Sequence, residues 1–358
     1  MEKETLTHPQ FLATRFIHRI RRFPRQWIVL RKIELALSER NDTFAEANAN
    51  SGPSVIRPIS KRIMHTTTYI TNHEGTTVPA SAPVIISASR STDIPAFYAK
   101  WFINRLREGY CVWYNPFNQK PTYVSFQNCK VVIFWTKNPR PMLPLLHELD
   151  ERGIHYYFQF TFNDYDHEGF EPNVPKVEQR IETFRELSEQ IGKERVIWRF
   201  DPLIVTPQLS PRDLLVKVWN LGNKLNGLTD KLVFSFIDIN SYRKVQANLV
   251  KESDQFAKAT IEQAEFTQAQ MNEIADGLAK CRDRWAQEGW NLELATCGEA
   301  LDLDRYGIAH NRCVDGELMK RLWSDDKELL YYLNYGELPE KDSLFGMDFS
   351  RPVLTPKR

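Results

Sequence analysis

The chain has 358 residues, of which 42% are apolar and 26% are charged, and its formal net charge is +1 at pH 7. This composition predicts a folded chain with a packed core. It argues against an acidic disordered chain and against a globally basic nucleic-acid binder. No run of about 18 apolar residues occurs, which argues against a membrane-spanning helix. The five cysteines are scattered and include no C-x-x-C pair, a pattern that we interpret as reduced thiols in a cytoplasmic protein.

Residues 1–63 differ in charge and composition from the rest of the chain. They contain 12 basic and 6 acidic residues, a net charge of +6, whereas the remaining 35 basic and 40 acidic residues give −5. Within this segment, the stretch 41–60 is small and polar, as linkers are. We therefore predict that residues 1–63 form a basic, flexible and poorly ordered extension, followed by a lead-in segment at 64–83.

From residue 84 onward, short runs rich in β-branched and aromatic residues alternate with helical patterns. Near-continuous apolar runs are typical of strands that are buried on both faces of a parallel sheet. Strands are predicted at 84–89, 131–136, 156–161, 196–200, 232–238 and 292–296. Helices are predicted at 96–108, 141–152, 175–191, 211–226 and 267–288, and a hairpin at 110–126.

The alternation of strands and helices predicts the fold class. A helix between successive parallel strands requires right-handed crossovers. About six such units predict an α/β fold with a (β/α) barrel of the TIM-barrel type, closed or partial, over residues 84–335. An open doubly wound sheet is the alternative. Residues 336–358 are predicted to be a C-terminal tail.

Polar residues follow the predicted strands at the point where each apolar run ends. In (β/α) barrels the functional site lies at the carboxyl ends of the strands, so we expect these residues to share one rim. The candidate ligand-binding residues are Ser89, Arg90, Lys137, Asn138, Gln159, Thr161 and Arg199. The candidate catalytic residues are Asp93, Asp201 and Glu299.

The residue types at this rim indicate the chemistry of its ligand. Lys137 and Arg199 would supply positive charge toward an anionic substrate such as a carboxylate or phosphate. Carboxylates at a partly dry rim can act as acids or bases. Arg199 and Asp201 are two residues apart, so their side chains share one face of a strand. An ion pair that only ties loops together is the alternative interpretation of these two residues.

Motifs for other kinds of site are missing from the sequence. The histidines have no zinc-ligand spacing, and we predict no metal site. Neither a G-x-x-x-x-G-K-[ST] phosphate loop nor a G-x-G-x-x-G fingerprint occurs, which excludes nucleotide sites built on those motifs.

Several strings in the chain resemble a bacterial family known as domain of unknown function 1848. They are ISASRSTDIPAFY at 86–98, FWTKNP at 134–139, VIWRFDP at 196–202, ATCGE at 295–299 and CVDGEL at 313–318. The resemblance extends over about residues 64–335. It implies a barrel followed by a C-terminal cysteine cluster, which is similar to the iron–sulfur loop of radical S-adenosylmethionine enzymes.

The chain departs from the family at the cysteine cluster. The family's cluster would provide the closely spaced thiolates that a [4Fe–4S] cluster requires, but the sequence up to Arg358 has no such run. We therefore expect no cofactor in this chain, although iron–sulfur and S-adenosylmethionine are implied for full-length relatives. The chain is either truncated before the cysteines or a relative without the cluster.

These observations lead to two predicted functions. The first is an enzyme, catalytically incomplete in this chain, that binds a small anionic ligand at the rim. The alternative is a non-catalytic module that binds nucleic acid or protein and uses residues 1–63 as a basic arm. The net charge of −5 outside that arm favours the enzyme. The sequence predicts no oligomeric state.

Overall fold

The structure is a computed structural model that describes most of the chain beyond the predicted extension. It describes residues 67–89, 92–114, 118, 120–171, 173–240, 243–252, 256–258, 261–297 and 301–340. The predicted extension at 1–63 and most of the predicted tail therefore lie outside the described residues.

The strands fall close to the runs predicted from the sequence. Those of the described residues are β1 (Thr67–Thr71), β2 (Thr77–Ser81), β3 (Ile85–Ala88), β4 (Tyr110–Tyr114), β5 (Pro121–Ser125), β6 (Val131–Thr136), β7 (His155–Thr161), β8 (Val196–Leu203), β9 (Lys231–Phe236), β10 (Glu293–Cys297) and β11 (Ala309–Asn311). All six predicted strands are confirmed as β3 and β6–β10.

The α-helices include the predicted ones and four more segments. Those of the described residues are α1 (Ile94–Phe97), α2 (Ala99–Glu108), α3 (His147–Asp150), α4 (Val177–Ile191), α5 (Pro211–Leu225), α6 (Arg243–Glu252), α7 (Gln268–Gln287), α8 (Gly316–Leu322) and α9 (Lys327–Tyr335). Within this part of the chain, no helix has the length and apolar character needed to cross a membrane.

Helices α5 and α7 begin where their sequences supply a capping residue. Ser210 accepts a hydrogen bond from the backbone N–H of Asp213, whose side chain accepts one from the Ser210 backbone in return. Thr267 and Gln270 form the same reciprocal arrangement at α7. These capping boxes satisfy N–H groups that the first turn of a helix leaves without partners. The starts predicted at 211 and 267 therefore lie within one residue of the observed ones.

The larger sheet of the described residues has seven parallel strands, in the order β11-β10-β9-β8-β7-β6-β3, and curls into a half-barrel. Even-numbered side chains of these strands, such as Phe134, Phe158 and Trp198, pack with the helices in the main core. Odd-numbered side chains point to the opposite, inner face, because successive residues of a strand alternate between faces.

The predicted TIM-type (β/α) barrel is wrong. In the described residues β3 pairs only with β6, and β11 pairs only with β10, so the sheet has two edges and does not close. Instead of opposing strands, helices α8 and α9 cover part of the inner face. Their residues Leu318, Met319 and Leu329 pack with the inner side chains of the sheet. These apolar contacts bury the surface that a closed barrel would bury against its own strands.

A second, separate sheet lies outside the half-barrel. It contains four of the described strands in the order β1-β2-β5-β4. The hairpin predicted at 110–126 is confirmed, since β4 and β5 pair antiparallel from Tyr110–Ser125 to Tyr114–Pro121. Strands β1 and β2, which belong to the predicted lead-in at 64–83, extend this hairpin into a sheet.

Candidate functional site

The inner face of the half-barrel is divided into an apolar and a polar region. At the amino-terminal half of the strands it carries apolar side chains such as Val131, Tyr157 and Ile197, which pack under α8 and α9. Closer to the carboxyl ends, each of six successive strands contributes its next inner side chain to a second layer. We call this second layer the inner polar layer. Its members are Ser87, Trp135, Gln159, Arg199, Ser235 and Cys297.

Arg199 and Asp201 form the centre of this layer. The Arg199 side chain is 1% exposed, and its Nε lies 2.9 Å from the Asp201 carboxylate while Nη2 contacts the same oxygen. Its Nη1 donates to Oε1 of Gln159 at 3.2 Å, and the guanidinium lies 4.7 Å from the centre of the Trp135 ring. All three nitrogens of Arg199 therefore have partners inside the protein.

The charges of this pair stabilise each other. Burial favours the uncharged form of both groups, yet the Arg199 charge and a hydrogen bond from Ser235 lower the pKa of Asp201 below its usual value. Burial likewise opposes the charge of Arg199, but Asp201 raises the pKa of the guanidinium. Asp201 is therefore ionised at neutral pH and accepts hydrogen bonds on both oxygens.

Asp201 occupies an irregular part of its strand. The pairing of β8 with β9 shifts register between Phe200 and Leu203. Such irregularities redirect a side chain that regular pairing would place elsewhere. The backbone N–H of Asp201 also donates to Oδ1 of Asn163 at 2.9 Å, which ties this segment to the end of β7.

Lys137 provides a second positive charge at the carboxyl end of β6. Its Nζ contacts Oε1 of Glu171, and its side chain is 41% exposed whereas that of Glu171 is 5% exposed. The same Glu171 oxygen accepts a hydrogen bond from Asn163 at 3.2 Å. The buried Arg180 lies 3.5 Å from the other Glu171 oxygen and donates to the carbonyl oxygen of Asn163 at 2.8 Å. Glu171 therefore contacts Lys137, Asn163 and Arg180 at once.

Asp93 joins the start of α1 to the end of β6. Its Oδ1 accepts the backbone N–H of Ala96 at 3.0 Å, and its Oδ2 accepts that of Lys137 at 2.7 Å. Burial raises the pKa of Asp93, and these hydrogen bonds offset part of the increase. Both oxygens are already used by the backbone, so Asp93 positions the residues around Lys137.

The remaining predicted residues fall into four groups. Gln159 contacts Arg199 directly, and Thr161 pairs in register with Arg199 across β7 and β8. Asn138 accepts a hydrogen bond from the backbone N–H of Arg140 at 3.3 Å, a contact local to its loop.

Ser89 has a left-handed backbone with φ of 95°, a strained conformation for a residue with a side chain. Its buried hydroxyl has no hydrogen-bond partner among the described residues. Arg90 and Glu299 lie outside the described residues.

The structure brings together more groups than the sequence predicted. Ser235 and Asn163 were not selected as site residues, although both lie at polar strand ends on the inner face, and the alternation rule could have selected them. Glu171 and Arg180 come from the β7–α4 segment and from α4. They carry no local signal in the sequence, because their contact with Lys137 and Asn163 depends on how α4 packs.

The cysteines do not fit an iron–sulfur cluster. Cys111 lies in β4, Cys129 lies just before β6, and Cys281 lies in α7. The other two cysteines belong to different elements, since Cys297 ends β10 and Cys313 follows β11. Across the described residues, which include every cysteine of the chain, no group of three or more His, Cys, Asp or Glu residues is arranged to hold a metal ion. A [4Fe–4S] cluster requires at least three thiolates at one place, so these residues do not supply its ligands.

The arrangement has the parts of a binding site for a charged small molecule. A partly exposed ammonium group, an ionised carboxylate and several neutral hydrogen-bonding groups come from neighbouring strands at one end of the sheet. Parallel sheets commonly place their ligands at this end, outside the carboxyl ends of the strands.

Comparison with known proteins places the whole half-barrel in one family. Residues 85–341 match the family model described as Domain of unknown function (DUF1848). This match spans all strands from β3 to β11 and helices α1 to α9. No match was found among curated proteins, nor among solved structures. Since the matched segment covers well over half of the chain, the protein belongs to the DUF1848 family.

Proposed function

We propose that the chain is an enzyme that binds a small anionic ligand at the inner polar layer, with Lys137 as the group that contacts the anion. The position of Lys137 carries this proposal. Its ammonium group stands at the mouth of the layer and remains 41% exposed, while the carboxylate that orients it is buried. A cation held in this way reaches solvent without losing its orientation.

The buried charges support a functional interpretation over a purely structural one. A buried ion pair contributes little net stability, because removing both charges from water costs about as much as their attraction returns. Here, three cationic and three acidic side chains lie close to one sheet end: Arg199, Arg180, Lys137, Asp201, Glu171 and Asp166. Dense clusters of titratable groups in a partly buried place are typical of catalytic sites.

The geometry supports roles for most of the predicted residues that the structure describes. The Arg199 side chain is 1% exposed, and each of its nitrogens already has a partner inside the protein, so we assign it to holding Asp201 in place. Asp201 is ionised and 23% exposed, and would accept a further hydrogen bond from a hydroxyl group of the ligand. Asp93 would position Lys137. Ser89, Asn138 and Thr161 would line the mouth, and Arg90 and Glu299 remain members of this site on the basis of the sequence alone.

The alternative function, a module that binds nucleic acid or protein, has less support. It relied on the basic segment 1–63, which lies outside the described residues. In the described site each cation has an acidic partner, so no continuous basic surface arises there. A phosphate backbone is bound by such surfaces.

Lys130 and Lys137 provide a matched pair for the binding test. They flank opposite ends of β6, and each forms an ion pair with a glutamate, Lys130 with Glu328 and Lys137 with Glu171. Isothermal titration calorimetry would measure the binding of inorganic phosphate and of acetate to the wild type, Lys137→Met and Lys130→Met. A hydrogen bond to a charged group contributes about 1.5–3 kcal/mol, which corresponds to roughly 10–100-fold in affinity.

We expect Lys137→Met to weaken anion binding by at least roughly tenfold and Lys130→Met to leave it unchanged. Equal losses in the two variants would show that the anion binds without using this site. Turnover would be tested by incubating a mixture of small carboxylates and phosphate esters with wild type and with Asp201→Asn. A mixture that the wild type leaves unchanged would contradict the enzymatic part of the proposal.

A further inference from the structure

Two cysteines meet at the edge of the inner polar layer. Cys297 is the last residue of β10, and Cys313 follows β11, the neighbouring strand in the sheet. Their Sγ atoms are 3.6 Å apart, and neither is in a disulfide. Both side chains are partly exposed, so small molecules in solution can reach the pair. The proximity results from strand pairing, because Cys297 is in register with Asn311, two residues before Cys313.

We propose that Cys297 and Cys313 form a reversible disulfide by exchange with a low-molecular-weight disulfide such as oxidised glutathione. A disulfide bond is about 2.0 Å long, so the two sulfur atoms must approach each other by roughly 1.5 Å. Side-chain rotation at the ends of two adjacent strands supplies a movement of this size. This inference is independent of the proposed anion binding.

The exchange proceeds in two balanced steps. One cysteine thiolate attacks the external disulfide, forming a mixed disulfide and releasing one small thiolate. The second cysteine then attacks the protein sulfur of the mixed disulfide, which forms the internal bond and releases the second small thiolate. The two protons of the cysteines pass to the two released thiolates. The protein loses two electrons, and the external disulfide is reduced to two thiols.

The surroundings of the pair affect the ionisation of Cys297. The hydrogen bond to Cys313, together with burial, raises the pKa of Cys297, which therefore keeps its proton. The hydrogen bond between the two sulfur atoms can be donated by either cysteine, so either one can attack the external disulfide and the other then closes the internal bond.

The disulfide would change the wall of the candidate site. The Cys297 side chain lies beside the guanidinium of Arg199, and it packs against the apolar cluster of the inner face. Oxidation would draw this sulfur toward Cys313 and away from Arg199. The pair thus offers a place where the redox state of the surroundings acts on the inner polar layer.

Peptide mapping tests the proposal on the full chain. The reduced protein would be exposed to oxidised glutathione under native conditions, alkylated, and digested with trypsin without reduction. Cleavage at Arg284, Arg305, Arg312 and Lys320 separates the two cysteines into peptides 285–305 and 313–320. We expect these peptides to be joined, with two of the five thiols lost and then recovered after treatment with dithiothreitol.

Cys281→Ser serves as the matched control, because Cys281 is also partly exposed but lies in α7. It should form the same linked peptides as the wild type, whereas Cys313→Ser should not. Phenylarsine oxide, which bridges two adjacent thiols, should protect the pair from alkylation in unmodified wild type, a readout that requires no variant. If the two peptides stay separate in folded, oxidised wild type, or if either cysteine links to another one, the proposal is wrong.

Discussion

Removing the negative charge of Asp201 should destabilise the fold, because it leaves Arg199 charged and buried. The Arg199 side chain is 1% exposed, and Asp201 is its acidic partner. Loss of one partner of a buried ion pair costs about 3–5 kcal/mol. Asp201 retains 23% exposure, which admits some water to the vacated position, so we expect about 3 kcal/mol for Asp201→Asn.

Urea unfolding followed by circular dichroism would measure this loss as a lower midpoint with an unchanged slope. In a thermal melt, about 3 kcal/mol corresponds to a lowering of the Tm by roughly 6–12 °C for a domain of this size. The matched control is Asp276→Asn, which breaks the exposed pair with Lys280 on α7. Exposed pairs contribute little, so this variant should keep the wild-type midpoint.

The double variant Arg199→Met with Asp201→Asn separates an unpaired charge from a simple loss of packing. With no buried charge left, it should be more stable than Asp201→Asn alone, since apolar replacement of a whole buried pair is often neutral. If Asp201→Asn proves as stable as Asp276→Asn, or if the double variant is the least stable of all, the account of this pair is refuted.

Three further predictions concern stability, each measured by urea unfolding. Acid should weaken the fold through Asp201, because the pKa of this carboxyl is lowered in the folded state. Its contribution to the free energy of unfolding is complete above about pH 4 and is lost as the pH falls through the folded-state pKa. Asp201→Asn should show a smaller loss between neutral and acidic pH. Asp93→Ala should cost about 1 kcal/mol, because it removes a helix cap and the acceptor for the Lys137 N–H. Gly222→Ala should destabilise the fold by about 1–3 kcal/mol, because the Cβ of the alanine would overlap the Trp285 ring. Alanine by itself favours helices, so a variant that is more stable than the wild type would contradict this packing.

The local structure of the half-barrel could be predicted from the sequence. Runs such as VVIFWT at 131–136 are apolar on both faces, which is typical of central parallel strands. Their β-branched and aromatic residues and the capping residues before α5 and α7 act within a few positions along the chain. The polar ends of these runs, and the shared face of Arg199 and Asp201, follow from the same two-residue alternation.

Other features depended on contacts between distant segments. Strand β11 has three residues, Ala309–Asn311, too few for a periodic pattern to identify. The prediction of a barrel failed because the number of strands does not specify what covers the inner face. Trp323 illustrates this: it stacks on His155 with ring centroids 4.7 Å apart, a contact between residues far apart in the sequence.

The sequence by itself determined where the strands lie, which face each side chain takes, and that polar groups gather at the carboxyl ends, because hydrophobic periodicity and capping act over neighbouring residues. The tertiary structure decided that the sheet stays open, that α8 and α9 fill its inner face, and that Glu171 and Arg180 join Lys137. These outcomes depend on burying apolar surface and pairing charges between segments that are distant along the chain, which no local pattern encodes.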